Sequence, residues 1–320
     1  MSERKPLTPN QRAWGRFRRN RSASVALILL LGVVALILLW PVFNSPKLGA
    51  VMPTAMTHDP DSITDAQFTS PNWSHWFGTD VHGRDLLSRV FYGARISLFV
   101  GMIGAAVSLI IGVLWGAIAG YCGGKWDGAM MRFVDVLYTM PSVIFVIVLI
   151  TGINAALAKL QSGPHGISPG AARILQFTGL FAGLGAVSWL TMARIVRGQV
   201  LSLRHRAFID ASRVLGASHT RILLRHILPN VYGVIIVYLT LTIPSIILYE
   251  SFLSYLGLGI QPPQASLGSL IASGAEQINP IRIYWWLIVF PGAALALTLL
   301  ALNFVGDGLR DAFDPRSEGK

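Results

Sequence analysis

The sequence predicts an all-α polytopic membrane protein with six transmembrane helices. Three observations carry this. Of 320 residues, 53% are hydrophobic and 13% charged, about half the charge usual in soluble domains. Mean hydropathy is +0.56. Six separate stretches lack Asp, Glu, Lys and Arg and reach the roughly 20 residues needed to cross a hydrocarbon core: 22–46, 96–124, 136–158, 174–193, 227–249 and 283–306. Such composition excludes a disordered chain. Cys122 is the only cysteine, so no internal disulfide forms.

Residues 1–21 form a basic N-terminal segment with seven Lys and Arg, among them Arg12, Arg16, Arg18, Arg19 and Arg21, placed to meet anionic lipid headgroups. The first stretch, 22–46, is expected to be a retained helix. Its apolar core exceeds a signal-peptide h-region, and no small-residue cleavage site follows. A polar connector, 47–95, leads to the second stretch. The core then runs over 96–306, with connectors at 125–135, 159–173, 194–226 and 250–282, and a tail at 307–320. The stretch 251–275 lacks charge but is interrupted by Pro262 and Pro263. Its apolar part is too short to span and reads as re-entrant or interfacial.

Lys and Arg set the orientation. With the N-terminus inside, the inner segments carry 19 basic residues and the outer ones 7. Basic residues concentrate in cytoplasmic loops, so both termini and 194–226 are expected in the cytoplasm. This accounts for the net charge of +11 without nucleic acid. Prolines at 141, 244 and 291 fall inside predicted spans, where each tends to kink its helix. Small residues at four-residue spacing, Gly101 and Ala105, then Gly112, Gly116 and Gly120, permit close helix approach.

Catalytic and metal motifs are missing. The chain has no GxxxxGK[ST], HExxH or CxxC sequence. No nucleophile–base pair marks a membrane-embedded enzyme. His205, His219 and His226 lack nearby carboxylates or thiolates in sequence. The charge-free spans also lack the ionisable groups on which ion-coupled carriers rely. An uphill transporter of this kind would take its energy at a membrane surface, which directs attention to the longest inner loop.

That loop, 194–226, reads as two short helices. Phe208, Ala211, Val214 and Leu215 lie on one helical face. Gly216 reverses the chain, and a second apolar run from Thr220 ends at Pro229. Asp210-Ala211-Ser212-x3-Gly216, followed by Leu228-Pro229, resembles the EAA loop of ABC importer permeases, EAA-x3-G-x9-I-x-L-P. His226 stands where that pattern has Ile. Phe77-Gly78-Thr79-Asp80-Val81-His82-Gly83-Arg84-Asp85, Ser88-Arg89 and Tyr92-Gly93-Ala94-Arg95-Ile96-Ser97 are similar to the segment before the second span in the C-type subunits of dipeptide and oligopeptide permeases. Ser254-Tyr255-Leu256-Gly257-Leu258-Gly259-Ile260-Gln261-Pro262-Pro263 and Gly306-Asp307-Gly308-Leu309-Arg310-Asp311-Ala312 are similar to later parts of the same subunits.

The resemblance implies a type I ABC importer permease fold in the bacterial inner membrane. It implies a second homologous permease, two ABC ATPase subunits and an extracytoplasmic substrate-binding protein as partners. ATP and Mg would sit on the ATPases, and the chain would hold no cofactor and catalyse nothing. Di- or oligopeptides are the implied cargo; nickel or another small solute, and a stand-alone secondary transporter, are the alternatives. Asp210, Ala211, Ser212, Arg213 and Gly216 would form the contact with the ATPase. Asp80, Arg84, Asp85 and Arg89 either pair with one another or meet a substrate-binding protein or gate.

Overall fold

The structure, a computed structural model, describes residues 9–43, 58–161, 168–260 and 264–313. Expectations for residues 1–8, for 44–57 (the end of the first stretch and the start of the connector), for 162–167, for Gln261, Pro262 and Pro263, and for the tail beyond Phe313 lie outside the described residues. Among these residues the chain is helical and has no strand, only an isolated bridge between Thr79 and Asp85. The helices are α1 (Pro9–Arg19), α2 (Arg21–Phe43), α3 (Leu86–Cys122), α4 (Gly124–Thr139), α5 (Ser142–Gln161), α6 (Pro169–Leu203), α7 (Ala207–Val214), α8 (His219–Ile222), α9 (Leu228–Tyr255), α10 (Leu267–Glu276) and α11 (Trp286–Phe313). A π-helical turn, Leu223–Ile227, joins α8 to α9.

Five helical segments are long and apolar enough to cross a membrane: Arg21–Trp40, Leu86–Cys122, Ser142–Gln161, His219–Tyr255 and Trp286–Phe313. The remaining predicted stretch, the fourth (174–193), lies within α6, whose 35 residues extend about 50 Å at 1.5 Å per residue. Large apolar side chains such as Ile28, Leu31, Ile110, Val148 and Leu297 are exposed. On a soluble surface they would be a liability; in a bilayer they face lipid.

Pro141 departs from expectation. It does not kink a span but separates α4 from α5. Met140, just before it, has φ −78° and ψ 131°, the extended backbone that a following proline imposes. The Pro141 carbonyl then accepts the first bond of α5, from Phe145 N (3.1 Å). The third span therefore starts at Ser142. Pro244 and Pro291 do lie inside helices, in α9 and α11.

The chain divides into two units: residues 1–24, 102–246 and 303–320, and residues 25–101 and 247–302. In the first, the small-residue row of α3 packs on α6. A Cβ on Gly112 would lie 2.6 Å from Met192 Cβ, one on Gly116 would clash with the Ala193 carbonyl, and one on Gly120 would lie 2.9 Å from the Arg197 carbonyl. Gly116→Ala is therefore expected to force the two backbones apart and cost about 1–3 kcal/mol. Gly128→Ala, in α4 with nothing within 4 Å, is expected to be neutral or slightly stabilising. Thermal unfolding of the two variants in detergent checks the contrast.

In the second unit, Trp40 of α2 stacks on Phe91 of α3 at 4.4 Å. The connector before α3 packs on the start of α11: Phe77 stacks on Phe290 at 4.0 Å, and Trp286 Nε1 donates to the Thr79 carbonyl (3.2 Å). The segment read as re-entrant or interfacial contains a capped, packed helix. Ser266 and Ser269 of α10 form a reciprocal capping box. A Cβ on Gly268 would clash with the Ser251 backbone, so α10 lies directly on α9.

Glu250 corrects the expectation that the spans hold no ionisable group. It lies inside α9 and is fully buried. Ser97 Oγ of α3 donates to its Oε2 (3.1 Å), and Ser254 Oγ donates to its Oε1 (2.6 Å). Leu267 N donates to Ser97 Oγ (3.3 Å), while Ile260 N and Ser266 Oγ both donate to Ser254 Oγ (3.2 Å each). One carboxylate thus ties α3, α9 and the start of α10 together.

Candidate coupling elbow

Within the first unit, α3, α4 and α6 form a platform under the loop. Asp127 of α4 receives both Nε and Nη2 of Arg197 from α6, the latter at 2.7 Å, a bidentate pair of the stronger kind. Arg204 Nη1, just past α6, donates to the carbonyls of Gly120 and Tyr121 (3.3 and 3.4 Å). A cation on the last carbonyls of α3 satisfies orphan acceptors and complements the helix dipole. Tyr121 Oη lies 2.8 Å from His219 Nδ1, joining the end of α3 to α8.

The loop is built differently from its prediction. Arg194 to Leu203 are not loop but the last turns of α6. The first short helix is α7, close to the expected place. The second is not a separate helix ending at Pro229. It passes through the π turn into α9, and His219–Tyr255 is one continuous 37-residue helical segment. The elbow is therefore a short arm, α7, set against the near end of a span.

The corner itself has defined chemistry. Gly216 has φ +77°. Its N–H donates to the Arg213 carbonyl (2.9 Å), and Ala217 N–H donates to the Ser212 carbonyl (3.0 Å). These are the two bonds of a Schellman motif, which requires a left-handed residue at this position. Asp210 sits in the first turn of α7 and Arg213 in the last, each favourable to the dipole, and they pair at 2.9 Å. Ser212 Oγ bonds back to the Phe208 carbonyl (2.8 Å).

The apolar face of α7 does not meet the core. Phe208, Ala211, Val214 and Leu215 share a face as predicted, but that face is exposed; Val214 and Leu215 are 88% and 86% accessible. The anchor is Ile209, fully buried among Val196, Val200, Ile222, Ile227 and Val231. Asp210, Ala211, Arg213 and Gly216 are exposed, and Ser212 is half-buried. Sequence reasoning missed Ile209 because a lone apolar residue off the main stripe carries no periodic signal.

Asp80, Arg84, Asp85 and Arg89 are brought together in the second unit. Asp80 accepts from His82 N (2.8 Å), Arg84 N (3.0 Å) and Arg84 Nε (2.8 Å), and Arg89 Nε lies 3.7 Å from it. Asp85 accepts from Ser88 N (2.9 Å) at the start of α3 and lies 3.0 Å from His75 Nδ1. Arg89 Nη1 also donates to the Pro60 carbonyl (3.4 Å). The two carboxylates and Arg89 are buried, so the four residues are largely occupied with their own loop and helix cap.

Known proteins match this architecture. Residues 112–319 match the model of the binding-protein-dependent transport system inner membrane component. Residues 8–67 match the N-terminal transmembrane domain of oligopeptide transport permease C. The chain is 44% identical to the oligopeptide transport system permease protein OppC of Escherichia coli K12, over 96% of this chain and 91% of that protein. It is 40% identical to the dipeptide transport system permease protein DppC of Bacillus subtilis, over 98% of this chain and 88% of that one. A chain of the inward-facing MetNI methionine ABC transporter shares the fold, with TM-score 0.54 and 16% identity, covering 71% of this chain and 97% of that one. Five candidate spans, a mostly helical structure without strands among the described residues, and these matches lead to one conclusion: the protein belongs to the family of binding-protein-dependent transport system inner membrane components, which are transport permeases and not enzymes.

Proposed function

We propose that this chain is one of two permease subunits forming the pathway for di- or oligopeptides through the bacterial inner membrane, and that α7 couples it to cytoplasmic ATPases. Both termini and the elbow then face the cytoplasm, as the basic-residue distribution favours. ATP and Mg belong to the two ATPase subunits, and an extracytoplasmic binding protein delivers the cargo. The peptide assignment draws on relatives whose names specify oligopeptides and dipeptides. We assign Asp80, Arg84, Asp85 and Arg89 a structural part, holding the connector against the start of α3.

One observation carries the coupling role. A helix of eight residues is too short to be stable alone, yet α7 is held by one buried side chain and turns Phe208, Val214 and Leu215 outward. An exposed apolar patch rimmed by polar residues marks a protein contact. Asp210, Ala211, Ser212, Arg213 and Gly216 frame that patch. Its apolar part fills a groove on the ATPase, and the Asp210–Arg213 pair sets its edge.

The test is crosslinking in the assembled transporter. With Cys122 replaced by Ser, a cysteine at Val214 is expected to form a disulfide or short-linker adduct with an ATPase subunit, and one at Ile28 on the exposed face of α2 is not. Labelling of the Val214 cysteine from outside intact cells, with no ATPase adduct, would refute both the topology and the docking role.

A further inference from the structure

We propose that the connector before α3 carries a divalent transition-metal site formed by His58, His75 and Asp85. Each offers one ligand atom, and the three atoms lie within 4.8 Å of one another. The His58 and His75 rings stack at 4.5 Å, and His75 Nδ1 lies 3.0 Å from Asp85 Oδ1. Two imidazoles and one carboxylate form a ligand set suited to Zn²⁺, with water completing a tetrahedral shell.

The surroundings hold these ligands in place. Asp85 is buried, and its second oxygen accepts from Ser88 N at 2.9 Å, so the carboxylate cannot swing away without uncapping α3. His58 Nε2 lies 3.1 Å from the Ser74 carbonyl, which orients that ring. Asn72 Oδ1 accepts from Ser74 N (2.8 Å) and His75 N (2.9 Å), fixing the turn that presents His75. Such partners preset a metal site by limiting ligand motion.

The chemistry at the site is an exchange of cations. Zn²⁺ enters where His75 and Asp85 face each other and displaces any proton held between them, so binding releases that proton. The consequence is mechanical. Residues 58–85 contain no helix and no extended strand, and a loop of that length needs internal ties. The ion ties its first part, at His58, to its last residue before α3. His58, His75 and Asp85 belong to different parts of the segment, so three turns are locked with one centre. The Irving–Williams order predicts that Ni²⁺ and Cu²⁺ also bind, but the inferred ligand is a borderline divalent ion held by this chain itself.

The experiment uses the full-length protein, purified with a tag free of histidine and treated with chelator. Zn²⁺ is titrated in competition with a chromogenic chelator. Wild type is expected to bind one Zn²⁺ per chain and to unfold at a higher temperature when Zn²⁺ is present. His58→Ala and His75→Ala are expected to weaken binding by at least 10–100-fold, the loss that follows even from removing an orienting partner, and to lose the thermal shift. His58 lies at the edge of the loop, so His58→Ala decides the question should His75→Ala fail to fold. The proposal is overturned by a wild type that takes up no Zn²⁺ at micromolar concentration. It is equally overturned by a His58→Ala protein that keeps wild-type affinity, which would place the ion on histidines elsewhere.

Discussion

Gly216→Pro is expected to abolish substrate-stimulated uptake while the chain still inserts in the membrane. Proline fixes φ near −65°, whereas Gly216 stands at +77°. Proline also removes the N–H that bonds the Arg213 carbonyl. Both halves of the Schellman corner fail together, and α7 loses the turn that points it back over the platform. Nothing lies within 4 Å of an added Cβ at this position, so the penalty is in the backbone and not in packing. This gives a graded series. Asn tolerates the left-handed region, and Ala there costs about 1–2 kcal/mol. Uptake should fall in the order Gly, Asn, Ala, Pro. The assay is ATP-dependent uptake in proteoliposomes holding the full transporter, with insertion and monodispersity checked for each variant. A wild-type rate for Gly216→Pro would end the elbow model. Asp210→Arg separates docking from folding. Both partners of the Asp210–Arg213 pair are more than 40% exposed, so the pair adds little stability. Loss of uptake in a normally stable Asp210→Arg protein therefore reports on the docking surface.

Several features of the fold were legible because they depend on local physics. Apolar length marked the spans, four-residue glycine spacing marked a close helix contact without naming its partner, and a glycine between two apolar runs marked the corner at 216. The misses share a cause as well. A stretch defined by the absence of charge ends at any ionisable residue, so Glu250 inside α9 falls at its boundary and not within it. The same rule started the second stretch at Ile96, although α3 begins at Leu86 and carries Arg89 and Arg95. Periodicity showed that Phe208, Ala211, Val214 and Leu215 share a face, but it is silent on whether that face meets the core or a partner. A run of apolar residues before Pro229 suggested a stop. Proline is tolerated in the first turn of a helix, and the preceding π turn lets the helical path continue through it.

The buried carboxylate makes the second large prediction: Glu250→Ala destabilises the permease more than Glu250→Gln, and both fall below wild type. The direction follows from counting donors. Leu267 N–H occupies one acceptor position of Ser97 Oγ, and Ile260 N–H with Ser266 Oγ occupies both of Ser254. The Ser254 proton therefore points at Glu250 Oε1, and Ser97 Oγ donates to the other oxygen. Alanine removes both acceptors and leaves a cavity. Each orphaned buried hydroxyl costs about 1–3 kcal/mol, less where a serine turns back to a carbonyl of its own helix. Glutamine keeps the volume and one acceptor but sets an NH₂ donor against a hydroxyl, so one bond must reverse. Thermal unfolding in detergent ranks the three proteins, and proteolysis near residues 256–266 reports whether the link from α9 to α10 loosens first. Loosening there is expected in Glu250→Ala, because Ser254 holds Ile260 and Ser266 only while the carboxylate holds Ser254. If Glu250→Ala and Glu250→Gln both unfold at the wild-type temperature, the carboxylate is not the tie, and α10 must rest on the capping box and on the close backbone contact at Gly268 alone.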